Sequence, residues 1–181
     1  MSTFISMLRG INVSGHNKIG MADLKYLYES LNFRHVLTYV QSGNVIFDST
    51  IQDVLKLTSL IEFAILKSFG LTVPVVIRNT TDFQRIINNN PFLIKRNEDP
   101  AKLHVTFLLN SPAKSDLIKL PSSPNANDEF ILSGNEIFLF CPNGYGNTKL
   151  NNNFFEKKLN TTATTRNWNT VNTLYKMTSG R

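Results

Sequence analysis

With a single cysteine, Cys141, the chain can close no internal disulfide, and a reducing compartment suits it. The N-terminus shows no basic segment followed by a long apolar run, so no signal peptide is expected. No stretch approaches the roughly 20 apolar residues of a membrane span, which argues against a membrane partner and for a cytoplasmic protein. The three histidines, His16, His35 and His104, lie far apart, with no Cys or Asp beside them at ligand spacing. Neither a metal nor another cofactor is therefore expected. The glycine patterns of the P-loop and of dinucleotide-binding turns are missing, and so is a G-x-S-x-G elbow. Acidic residues are in the minority, 13 Asp+Glu against 19 Lys+Arg, for a net charge of +6 over 181 residues. That leans toward acidic partners, but the basic residues are scattered, with Lys95-Arg96 and Lys157-Lys158 the adjacent pairs. Nucleic acid is thus an open but disfavoured partner.

What the chain does have is a repeated order of elements. "TFISMLRG" reads as a mostly buried strand, and Met21, Leu24, Leu27, Tyr28 and Leu31 then recur at helical spacing. "VLTYVQ" and "NVIFD" are strands joined at Ser42-Gly43-Asn44. "DSTIQD" supplies a cap for a second helix, and "VPVVIR" is a fourth strand followed by a short helix over 80–89. The strand-helix-strand-strand-helix-strand order predicts an α+β, ferredoxin-like module. The same order returns with "KLHVTFLLN", a short helix over 112–119, the hairpin "EFILSGNEIFLFC", a helix on "NFFEKKL", the strand "TTATT" and a helix from Asn167.

Two local identities support a duplication. "SGNVIF" begins at Ser42 and "SGNEIF" at Ser133, 91 residues apart. "RN" follows the last strand of each half, at Arg78-Asn79 and Arg166-Asn167, 88 residues apart. The expectation is two fused ferredoxin-like modules with antiparallel sheets, 1–90 and 91–181, each with an extra helix and together forming one compact unit. The boundary falls in "NNNPFLIKRNEDP".

Several stretches together resemble a family of small bacterial proteins, domain-of-unknown-function family 1697. They are "MLRGINVSGHNKIGM", "LTYVQSGNVIF", "NNPF", "TKL" after a Gly-bearing loop, and "TTRNWNTVNTLYKM". The resemblance runs from Ser6 to Met177. Ser14 stands in place of the first glycine of a Gly-Gly pair, and Thr148 in place of a serine before Lys-Leu. The resemblance implies a duplicated α+β fold in a soluble bacterial protein. It implies no reaction and brings no catalytic residues.

Candidate chemistry is then a matter of loops. An RNA-recognition module shares the expected element order but needs stacking aromatics on its central strands. "NVIFD" offers Phe47 alone, so loop contacts are the remaining route to nucleic acid. Cys141 ends an apolar strand before Pro142 and reads as a buried structural thiol, and Trp168 reads as core. The loop after the first strand is different. Arg9, Asn12 and Lys18 sit with two glycines ahead of a helix start, a place where free N–H groups favour an anion. With the first and third strands taken as parallel, the Ser42 hairpin falls at the opposite sheet edge from Arg9. The loop "PNGYGNTK" of the second module then falls at the edge corresponding to Arg9. Arg9, Asn12, Lys18, Asn147, Lys149 and Arg166 are the candidate ligand residues, with Gln41, Asn44 and Asn143 secondary. Arg166 is read as opening a helix, where its charge opposes the helix dipole and asks for a partner. The expected activity is binding of a small anionic or phosphorylated ligand in a cleft between modules. The rivals are an enzyme acting on such a ligand through an unidentified base, and an interaction or nucleic-acid-binding protein.

Overall fold

A computed structural model describes residues 1–13, 15–121 and 127–179. Its elements run β1 (Ser2–Leu8), α1 (Met21–Ser30), β2 (Arg34–Tyr39), β3 (Asn44–Ser49), α2 (Val54–Phe69), β4 (Val75–Asn79) and α3 (Thr80–Asn88). They continue with α4 (Pro91–Arg96), β5 (Leu103–Leu108), α5 (Lys114–Leu117), β6 (Glu129–Ser133), β7 (Glu136–Phe140), α6 (Asn152–Leu159), β8 (Ala163–Asn167) and α7 (Trp168–Lys176). Two four-stranded antiparallel sheets result, ordered β2-β3-β1-β4 and β6-β7-β5-β8. The chain divides into two compact units, one of 1–84 with the stretch from Leu174 onward, the other of 85–173.

In the first unit, strand alternation turns Phe4, Leu8, Val45, Phe47, Val75 and Ile77 toward the helices. There they meet Leu24, Leu27 and Tyr28 of α1 and Leu57, Ile61 and Ile65 of α2. Phe47 is the hub, its ring 4.5 Å from Phe33, 5.3 Å from Tyr28 and 5.8 Å from Phe4. Within this layer the Tyr28 hydroxyl meets Ser6 Oγ at 2.8 Å, and burial pushes its pKa up. Asp53 caps α2 by accepting from the Leu55 and Lys56 amides, and Gly70 ends the helix in the left-handed region at φ 67°. At the start of β4 the first amide of the strand, on Val75, donates to Glu62 of α2 at 2.9 Å. The second unit repeats this bond, from the Ala163 amide to Glu156 of α6 at 3.0 Å. Its core gathers Leu108, Ile137, Leu139, Leu150, Phe155 and Leu159.

Four expectations are corrected. β1 and β3 run antiparallel, with Met7 opposite Asn44, so the edges assigned to the loops change. Arg166 lies within β8, and the helix begins at Trp168. The boundary stretch after the helix read over 80–89 holds a further helix, α4, because Asn90 Oδ1 accepts from the Phe92 amide at 3.1 Å and proline suits a first helical turn. Finally, the "SGN" identity is not a structural equivalence. Asn44 pairs with Met7, whereas the matching partner of Phe107 is Glu136 rather than Asn135. The "RN" identity does hold in register, with Ile5 opposite Arg78 and Val105 opposite Arg166.

Candidate functional site

The end of β1 is a junction. The Leu8 amide donates to Gly43 O and the Arg9 amide to Pro74 O, each at 2.9 Å. The β1–α1 loop, the β2–β3 hairpin and the lead into β4 therefore share one edge of the first sheet. The expectation that Arg9 and Ser42 lie at opposite edges fails because the strands are antiparallel.

Asn12 organises this junction. At φ 54° it takes the left-handed conformation that asparagine tolerates. Its Nδ2 donates to Ile19 O at 3.0 Å and to Gln41 O at 2.9 Å, while its Oδ1 accepts from the Ile19 amide at 3.0 Å. Asn17 Nδ2 adds a bond to Gly10 O at 3.1 Å. Ile11 and Ile19 are buried beneath it, and Asn12 ties the loop to the hairpin. Gln41 contributes a carbonyl to that tie, and buried Asn44 spends its amide on Tyr39 O and Ser42 Oγ. Gly43, at φ 74°, is pressed so closely that an added Cβ would stand 2.5 Å from Ile11 Cδ1 and 2.9 Å from Leu8 Cβ.

The following helix, α1, starts at Gly20 without a side-chain cap. Lys18, just ahead of it, is exposed, and Arg9 is half-buried at the strand end. Asp23 in the first turn folds back, with Oδ2 2.5 Å from where a Cβ on Gly20 would be. A carboxylate thus already answers the positive end of this helix.

The second unit does not repeat the arrangement. The segment holding Asn143, Asn147 and Lys149 leaves β7 where β5 begins, since Phe140 pairs with Leu103. That is the edge opposite to the one corresponding to Arg9. Asn147 Nδ2 donates to Asn143 O at 2.9 Å, and Lys149 is exposed. Arg166 is buried, its Nη1 donating to Thr164 Oγ1 at 2.8 Å and Thr165 O at 3.0 Å. Arg78, its counterpart, is buried likewise, with Nη1 on Ile77 O at 2.9 Å. The asparagine after each arginine caps the next helix, Asn79 Oδ1 taking the Asp82 amide at 2.8 Å and Asn167 Oδ1 the Thr170 amide at 2.7 Å. "RN" is therefore a strand-to-helix joint.

Cys141 is buried in the second core. Burial first, then the Asp128 charge, pushes its thiol up to about 11, against the Thr148 hydrogen bond. Thr148 Oγ1 itself donates to buried Asp128 at 2.6 Å. Because the thiolate is the reactive form, native protein should take up a thiol reagent slowly at neutral pH and at the free-cysteine rate once denatured. Rapid labelling of the native state would contradict that structural role.

Among the described residues no group of His, Cys, Asp and Glu could hold a metal, and no helix is long and apolar enough to cross a membrane. His104 stacks on Tyr145 at 4.8 Å, and burial pushes its pKa down despite a bond to the Lys102 backbone. One pair escaped the sequence reading. His35 Nδ1 lies 2.7 Å from Asp48 Oδ2, while Asp48 Oδ1 accepts from Thr3 Oγ1 at 2.7 Å. The irregular pairing between Arg34 and Leu37 creates it, placing His35 at φ 49°. No spacing rule would have flagged it.

The family model described as "Protein of unknown function (DUF1697)" matches residues 1–138. Among solved structures, a conserved bacterial protein from Streptococcus pneumoniae is similar, with a TM-score of 0.76 at 23% identity. The likeness covers 97% of this chain and 98% of that one, and it speaks for the fold. No curated protein matches the chain.

Proposed function

The chain belongs to the DUF1697 family of proteins of unknown function, and we propose that it binds a small anionic or phosphorylated ligand where β1 gives way to α1. The observation that carries this reading is the uncapped start of α1 at Gly20 beside exposed Lys18. Free helix N–H groups and a nearby ammonium both favour negative charge. Gly10 and Gly15 have open space where a Cβ would stand, so backbone can approach a ligand closely. The Asn12 tie fixes the loop in advance, which lowers the ordering cost of binding. Arg9 and Lys18 are the contact residues, and Asp23 is the group an incoming anion displaces. The candidates of the second unit take no part in it.

Calorimetric titration with inorganic phosphate and with a sugar phosphate tests the reading. Arg9→Ala should cost roughly 1.5–3 kcal/mol of binding, the worth of a charged hydrogen bond. Lys18→Ala should cost about 0.2–1 kcal/mol, as a flexible exposed charge does. Asp23→Asn should tighten binding. The reading fails if neither anion binds, or if Arg9→Ala unfolds the protein while Lys18→Ala binds as wild type does. An oligonucleotide that binds with steep salt dependence where phosphate does not would favour the nucleic-acid rival.

We also propose that both units are ferredoxin-like modules descended from one, with sequence boundaries at 1–90 and 91–181. Support comes from the matching strand orders, the in-register Arg78 and Arg166, and the paired Glu62 and Glu156 bonds. A lone buried thiol fits a cytoplasmic setting.

A further inference from the structure

The other edge of the first sheet, away from Arg9, holds a set of groups that the anion-binding reading leaves unused. There β1 begins, β3 ends, β2 begins at the irregularity, and β4 passes into α3. We propose that His35 is a phosphoryl-acceptor site, a nucleophilic histidine whose Nε2 takes a phosphoryl group from a donor of high transfer potential.

Three observations carry this. The first is orientation: Asp48 Oδ2 is 2.7 Å from Nδ1, which places the ring proton on Nδ1 and leaves the Nε2 lone pair for attack. Asp48 is itself held, its side chain 9% exposed and its other oxygen bonded to Thr3, so the ring is fixed from below. The second is presentation. The His35 side chain is 70% exposed, and the residue sits at φ 49°, in the left-handed region that histidine tolerates better than most side chains. The third is surroundings. Exposed Arg34 is paired with Asp48 across the strands, which puts a positive charge at the same end of the sheet as the ring.

The step balances. The Nε2 lone pair attacks phosphorus and an N–P bond forms. The bond from phosphorus to the donor's leaving group breaks, and its electron pair departs with that group. With phosphoramidate as donor the group leaves as ammonia. The ring keeps its Nδ1 proton and becomes a phosphoimidazolium, whose positive charge faces the Asp48 carboxylate. That is where the pair acts: the carboxylate stabilises charge that appears only as the bond forms.

Incubating the intact protein with potassium phosphoramidate and following its mass, then mapping the site, tests the proposal. Exposed His16 is the internal reference. One acid-labile phosphoryl group should appear on His35 at least about tenfold faster than on His16, since tenfold needs only about 1.4 kcal/mol of transition-state stabilisation from the carboxylate. His35→Gln should abolish the fast phase, and Asp48→Asn should lower it to the rate of His16. Equal rates at His35 and His16, no phosphohistidine at all, or an Asp48→Asn protein as fast as wild type would each overturn the proposal. Should Asp48→Asn not fold, the His35-to-His16 ratio in wild type decides alone.

Discussion

Gly43→Ala should destabilise the protein by about 3 kcal/mol, combining a left-handed backbone unsuited to alanine with overpacking of a filled core. The added methyl would stand 2.5 Å from Ile11 Cδ1 and 2.9 Å from Leu8 Cβ, both buried. Gly134 is the control. It too has a positive φ, 63°, but nothing lies within 4 Å of where a Cβ would stand, so Gly134→Ala should cost only about 1–2 kcal/mol. Urea midpoints of both variants give the comparison. Equal losses would mean that the β1–α1 loop yields to the methyl, and that Asn12 does not hold it fast.

Phe47→Ala should cost about 3–5 kcal/mol, the range for deleting a buried aromatic ring. Phe47 is fully buried, and three other rings lie on it, so the hole has few ways to collapse. Trp168 belongs to the second unit, so tryptophan fluorescence is the wrong probe, and backbone circular dichroism during urea unfolding should be followed. A midpoint moved by less than about 1 kcal/mol would show that the first core repacks, contrary to the usual stiffness of such interiors.

Much of the architecture was legible because periodicity reports burial directly. Leu24, Leu27 and Tyr28 of α1 and Ile61 and Ile65 of α2 follow from spacing alone, and each is buried. Strand direction was not legible, since a hydrophobic pattern is the same read either way. That one error moved the Ser42 hairpin to the wrong edge and grouped loops that the topology separates. "SGN" misled for a related reason. Four residues, Val40 to Gly43, link β2 to β3, and two, Gly134 and Asn135, link β6 to β7. Glycine recurs because both turns need positive φ, while the register slips by one. "RN" survived because each half uses the two residues for the same pair of tasks, one buried in a strand and one capping a helix. Of the proposed site, Lys18 and the start of α1 were legible. The spent amide of Asn12 and the folded-back Asp23 were not, because they depend on which partner each side chain finds.

The Glu62 and Glu156 bonds have a consequence for how copies of this chain avoid one another. β4 and β8 are outer strands, and the free amides of such a strand are a template for a neighbouring chain to add on. In each sheet a helix carboxylate already occupies the first of those amides, so strand addition meets a blocked starting position. The spacing from glutamate to amide differs, 13 residues in one unit and 7 in the other. No alignment by sequence would match the two, yet the helix of each length ends up delivering its carboxylate to the same place. What is held constant across the halves is an occupied first amide on one outer strand, a property of the surface that no motif records.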